Sequence, residues 1–251
     1  MLSEDGGVRC ESCARRFPSV GGIPVLLPEP EAEIANWCYR LDDFVRDNAD
    51  VRAKILAQLS TEAKLDGTRR RLDTLHRTLE IHRDRLLELL ADAGVTPRVR
   101  AAPDPAPVPG EATITAYYHQ IHRDWGWEAD GNREARDAAA AVGEVAGSLG
   151  GMLVLGAGAA RLARDVHVEH GTSMTIALDR NPLPFVVARR ILQGESVRLY
   201  EFPIRAATSD AVCVDRELTS PAPPPKGFHL LFADALDPPV PDAAFDTVLT
   251  P

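Results

Sequence analysis

No apolar run in this 251-residue chain is long enough to cross a bilayer. The longest, around Met152-Leu155 and Ile176-Leu178, fall far short of the roughly 20 residues that a spanning helix needs. The opening Met1-Leu2-Ser3-Glu4-Asp5 is acidic and polar, without the basic and apolar blocks of a secretory signal. Cysteine is scarce. The four present are mostly isolated, which excludes a disulfide framework and points to a reducing, cytoplasmic compartment. An excess of positive charge is missing too. The formal charge of −9 argues against a nucleic-acid partner, because phosphate backbones recruit basic surfaces. Arg69-Arg70-Arg71 is basic, but it lies in a helical pattern where a solvated face is the expectation. What remains, 45% hydrophobic and 26% charged residues, is the ordinary make-up of a soluble globular chain.

Four stretches follow one another. Residues 1–30 are short, strand-like and punctuated by Gly21-Gly22 and Pro24. Residues 31–100 form a helical region. Leu72, Leu75, Leu79, Leu86 and Leu90 recur at helical spacing, and Gly94 is a natural stop. Packing within the chain is expected of that face, with self-association through the helices as the other reading. Residues 101–110, Ala-Ala-Pro-Asp-Pro-Ala-Pro-Val-Pro-Gly, are a linker by composition. From 111 to 251 the pattern becomes helix, then strand–helix–strand, which predicts a parallel α/β sheet.

The chemistry lies in that last stretch. The apolar strand Met152-Leu153-Val154-Leu155 runs into Gly156-Ala157-Gly158-Ala159-Ala160-Arg161 and then a helix. Glycines there allow a tight turn and let a ligand approach the backbone. A second apolar strand, Thr175-Ile176-Ala177-Leu178, ends at Asp179, followed by Arg180. A carboxylate at that strand tip can accept hydrogen bonds from both hydroxyls of a ribose. The third glycine of a dinucleotide fingerprint is replaced by Arg161, which favours S-adenosylmethionine (SAM) over NAD. A third strand, Leu230-Leu231-Phe232, leads to Ala233-Asp234-Ala235, where similarity to methyltransferase sheets implies an acid that accepts a hydrogen bond from the adenine amino group. A fourth, beginning at Phe245-Asp246-Thr247-Val248-Leu249, is expected beside the first strand and reaches Thr250-Pro251. Asp246, ahead of it, reads as structural. The stretch between Asp179 and Asp234 far exceeds the dozen residues of a plain crossover, so an inserted hairpin or flap is predicted there.

Three segments resemble the carnosine N-methyltransferase family: Gln120-Ile121-His122-Arg123-Asp124-Trp125, the Leu153–Ala163 glycine loop, and Phe232-Ala233-Asp234-Ala235. The likeness covers roughly residues 111–251. It implies a Rossmann-like class I methyltransferase sheet in which Gln120 and Arg123, three apart on one helix face, hold the cofactor. Arg123 could grip the methionine carboxylate of SAM in a two-point fork. The expected contact set is Gln120, Arg123, Gly156, Ala157, Gly158, Arg161, Asp179, Arg180, Asp234, Ala235 and Thr250. One departure is Leu178-Asp179-Arg180-Asn181, where the family carries a Gly-Asn-Glu context. Class I sheets have seven strands and four are countable here, so the chain is expected to stop short of the full sheet, bind SAM weakly and turn over poorly.

Cys10-Glu11-Ser12-Cys13, with Phe17 and Gly22-Ile23-Pro24-Val25 after it, resembles half of a zinc ribbon. Structural zinc takes four ligands. Cys10 and Cys13 are the only pair at ribbon spacing, so either an upstream pair has been lost, or the chain's start lies farther upstream, or the knuckle never binds metal; zinc on Cys10 and Cys13 is the minority expectation. The expected reaction is methyl transfer to a small amine, imidazole or peptide-like acceptor, with no identifiable catalytic base. Two other readings remain open: a NAD-binding Rossmann oxidoreductase, and a non-catalytic interaction protein with a degenerate methyltransferase domain.

Overall fold

The structure, a computed structural model, describes residues 7–11, 13–61, 65–100, 113–127, 133–145, 148–206, 208, 211–222 and 226–251. The Pro-rich linker at 101–110 lies outside the described residues. Two short hairpins open the chain: β1 (Val8–Arg9) with β2 (Arg16–Phe17), and β3 (Ser19–Val20) with β4 (Ile23–Pro24).

Two long helices follow, α1 (Pro30–Thr61) and α2 (Asp66–Asp92). Pro30 begins α1, where its missing N–H costs nothing, and Glu31 and Glu33 sit against the positive end of the helix dipole. Asn48 Nδ2 donates to the Leu79 carbonyl at 3.0 Å, and Arg52 pairs with Glu80 at 2.9 Å, fastening the helices side by side. Gly94 is the stop that the sequence predicts. It takes φ +91°, its N–H donates to the Ala91 carbonyl, and the Val95 N–H donates to the Leu90 carbonyl. These two bonds close a Schellman motif. The leucine stripe divides: Leu86 and Leu90 are fully buried, whereas Leu72, Leu75 and Leu79 are only half-buried.

The remainder is mixed α/β, as the strand–helix–strand pattern predicts. Helix α3 (Tyr118–Trp125) and α4 (Arg133–Val145) precede β5 (Gly151–Leu155), α5 (Arg161–Glu169), β6 (Met174–Asp179) and α6 (Pro182–Leu192). Then come β7 (Val197–Glu201), β8 (Val214–Leu218), β9 (Phe228–Phe232) and β10 (Thr247–Leu249). Strands β10, β5, β6 and β9 form a parallel sheet in that order. The fourth segment therefore does lie beside the first. Strands β7 and β8 pair antiparallel as a separate hairpin, so the long connection carries an inserted hairpin as expected.

Side-chain alternation gives the sheet two faces. Met152, Val154, Ala177 and Phe232 point into the main core, where Trp37 of α1 and Phe185 of α6 lie 5.0 and 5.4 Å from the Phe232 ring. Leu153, Leu178 and Leu231 point the other way, under Leu26, Val240 and Phe245. The outer edge of β9 is met by the N-terminal segment: Val25 bridges Phe232 in parallel, and the Leu26 N–H donates to the Phe232 carbonyl at 2.8 Å. Val20, Ile23, Val25 and Leu27 are buried in the same core. Among the described residues, no helix is long and apolar enough to cross a membrane.

Candidate functional site

The parallel sheet sends every strand's carboxyl end to one edge. Gly156, Ala233-Asp234 and Thr250 follow the last residues of β5, β9 and β10 there, and Asp179 is the last residue of β6, with Leu155 opposite Leu178 and Leu249 opposite Val154. Successive strands step one way from β5 to β9, and β10 then returns to the other side of β5. Such a reversal opens a crevice outside the strand ends, where α/β sheets take their ligands.

The loop leaving β5 is held in an unusual shape. Gly156 and Gly158 have φ of +70° and +56°, and Ala160, at the start of α5, has +61°. A left-handed alanine costs on the order of 1–2 kcal/mol, so the surroundings must enforce it. They do so through the main chain: the Ala157 N–H donates to the Leu178 carbonyl at 2.9 Å, and the Ala160 N–H to the Ala157 carbonyl at 2.8 Å. A Cβ added to Gly156 would meet nothing within 4 Å, so backbone is open to an approaching group.

Asp179 is the second clamp on this loop. Its Oδ2 accepts the Gly158 N–H at 2.8 Å and its Oδ1 accepts the Asn181 N–H at 2.8 Å. Burial pushes its carboxyl above the usual carboxylate range, and backbone N–H groups of Asn181, Gly158 and Arg180 partly offset this. A carboxylate has about four acceptor positions, so each oxygen keeps room for a further donor. Asn181 caps α6, accepting the Leu183 N–H at 3.3 Å ahead of Pro182. Its Nδ2 holds the Ala116 carbonyl at 2.8 Å, which ties the approach to α3 to the end of β6.

Helix α3 lies across the loop. Gln120 Oε1 is 3.3 Å from the position of a Gly158 Cβ, so this side chain is in place over the second glycine. Trp125 Nε1 donates to the Ala159 carbonyl at 2.9 Å. Arg161 serves as a strut: its guanidinium stacks on Trp125 at 4.9 Å, pairs with Asp165 at 2.7 Å and reaches the Asp124 carbonyl at 3.2 Å. Arg123 is turned onto its neighbour Asp124 at 2.9 Å, with 40% of its side chain exposed. Burial pushes the Asp124 carboxyl up, and Arg123 and Arg161 oppose that.

Farther along the edge, Arg180 bridges Asp234 and Glu33 of α1, each at 3.3 Å. Asp234 Oδ1 also accepts the Leu236 N–H at 2.9 Å, and Ala235 between them is half-buried. Thr250 is exposed at the end of β10. Asp246 has the structural place expected of it, accepting the Gly151 N–H at 2.7 Å.

The structure thus gathers Gln120, Gly156, Ala157, Gly158 and Asp179 into one cluster and Arg180 with Asp234 into a second on the same edge. Arg123 and Arg161 are engaged by Asp124 and Asp165. Cys10 and Cys13 lie apart, on a knuckle closed by Cys10 N–H to Arg15 carbonyl and Ala14 N–H to Cys10 carbonyl bonds. Among the described residues no group of three His, Cys, Asp or Glu side chains could hold a metal ion. Asn181 and Glu33 are contributors that the sequence reading missed, and Trp125 stood in the quoted motif without a role. Asn181 carried a signal of its own, as a capping residue directly before a proline. Comparison with protein-family models and with curated proteins returns no match for this chain.

Proposed function

We propose that the chain carries a Rossmann-like, class I SAM-binding domain and acts as a methyltransferase on a small amine, imidazole or peptide-like acceptor. One observation carries the reading: the Gly158 N–H bonded to the Asp179 carboxylate, which fixes a glycine turn and an acid side by side at the carboxyl edge of a parallel sheet. The residues suit SAM. Gly156 leaves its backbone open, Asp179 retains acceptor positions for ribose hydroxyls, and Asp234 presents an acid at the next strand end. When bound, SAM supplies an activated methyl group on sulfur.

The chain's own part is alignment and exclusion of water. Gln120 holds its amide over the glycine turn, and Arg123 becomes a carboxylate fork on leaving Asp124. Arg161 stacked on Trp125 occupies the position where a dinucleotide site requires glycine, which weighs against NAD. Among the described residues Cys13, Cys38 and Cys213 form no disulfide, in keeping with a cytoplasmic setting.

Calorimetric titration with SAM, S-adenosylhomocysteine and NADH tests this. Binding of the first two, weakened about tenfold or more in Asp179→Ala, is the expected result. NADH binding without SAM binding would reject it.

A further inference from the structure

A second cleft lies on the other half of β9, away from Asp234. It has a volume of about 300 Å³ and sits between the β3–β4 turn, the last turn of α6 and the amino-terminal part of β9. Its apolar walls on the α6 side of the sheet are formed by Ile23, Leu192, Phe228 and Leu230. Arg189, Gln193 and His229 supply the polar groups. Sites for small molecules have this make-up, mostly apolar with a few converging polar groups, and begin at about this size.

Arg189 is the informative residue. It is half-buried, and its Nε is shut away from solvent without a hydrogen-bond partner. Its neighbour Arg190 is paired with Asp92 at 2.5 Å, as Arg85 is with Asp215 and Arg216 with Glu201. Arg189 has no such carboxylate among the described residues. The side chain lies against Gly22, where an added Cβ would be 3.6 Å from Nη2. Gly22, at φ +74°, thus permits both the turn and the close passage of the guanidinium. A guanidinium that lines a cleft without a carboxylate partner is shaped to be satisfied by a two-oxygen anion.

We propose that this cleft binds a small amphipathic anion, its carboxylate or phosphate head on Arg189 and its aliphatic part between Ile23, Leu192, Phe228 and Leu230. A cationic ligand would face Arg189, and a wholly polar one would leave the aliphatic walls unused. Gln193 and His229, both exposed, stand at the mouth. The cleft uses none of the residues at the carboxyl edge, so its ligand binds whether or not that edge takes SAM.

The test is calorimetric titration of the full chain with octanoate and with octyl phosphate, and with octylamine and inorganic phosphate as controls. Octanoate or octyl phosphate should bind, the preferred head being read from the two arms, and the controls should not. Arg189→Gln should weaken binding about tenfold or more, whereas Arg190→Gln should leave it unchanged. Gln193→Trp, at an exposed position, should block the mouth and abolish binding without loss of fold, which keeps the test decisive if Arg189→Gln is unstable. Failure of both anions to bind, equal binding of octylamine, or full binding by Gln193→Trp would each overturn the proposal.

Discussion

The Gly158 N–H and Asp179 Oδ2 are 2.8 Å apart, and that single bond joins the turn after the first strand of the sheet to the end of the second. Asp179→Asn keeps the shape but turns an amide N–H₂ or a weaker oxygen towards two backbone donors. Unfolding in urea should show a loss of about 1–3 kcal/mol, together with weaker SAM binding. Unchanged stability would mean that the acid does not hold the loop.

Gly156 and Gly158 are distinguishable by substitution. Alanine at either meets a left-handed backbone and should cost on the order of 1–2 kcal/mol. Only the Gly156 Cβ would project into open space. Gly156→Ala should therefore lower SAM affinity by more than its stability loss accounts for, whereas Gly158→Ala should act first by displacing Gln120. Equal binding losses in the two variants, measured by calorimetry, would contradict this.

Two histidines should make the fold acid-sensitive. His82 of α2 and His122 of α3 both pack edge-on to Tyr118, each with its ring centroid 5.0 Å from it. Burial lowers each to about 4; the neighbouring His122 and Arg85 add to this at His82, and Arg216 adds to it at His122. At His122 the Glu201 carboxylate and the Tyr200 carbonyl offset only part of this. Both folded values lie below the unfolded 6.5. The unfolded chain then binds more protons between about pH 6.5 and 4, so stability is full above 6.5 and falls as the pH drops through that window. Each displaced histidine is worth about 1.4 kcal/mol per pH unit. Urea midpoints from pH 7.5 to 4.5 should show the decline, flattened in His82→Gln; identical slopes would reject the assignment.

Gly150 and Asp246 form one unit. A Cβ on Gly150, at φ +54°, would collide with Asp246 Oδ2, the group that accepts the Gly151 N–H. Gly150→Ala and Asp246→Ala should each cost about 1–3 kcal/mol. Together they should cost less than the sum, because the first already displaces the second. Simple additivity in a double-mutant cycle would show that the two are independent.

Trp37 is fully buried with its ring 5.0 Å from Phe232. Trp37→Ala should cost about 3–5 kcal/mol. Thermal melts should show one lowered transition, since α1 and the sheet share this core.

The parallel sheet and its glycine–acid edge were legible because apolar strands, a glycine pair and a terminal acid each leave a side-chain pattern. Gly94 and Asp246 were legible for similar local reasons. The pairing of Val25 with Phe232 was not, since main-chain bonds between distant segments leave no periodicity. Arg161 kept its sequence rank at the loop, but its stacking on Trp125 depends on where α3 lands, which spacing does not encode. The leucine stripe of α2 read as continuous, yet only its second half is fully buried, because the first half is half-buried beside α1.

The Val25–Phe232 bridge also sets an order of events during synthesis. At about 5–20 residues per second, Val25 leaves the ribosome on the order of 10–40 s before its partner strand exists. For that interval Val20, Ile23, Val25 and Leu27 have no sheet to cover them. Closure of this edge is therefore a late, long-range step, and long-range pairing is the slow part of folding.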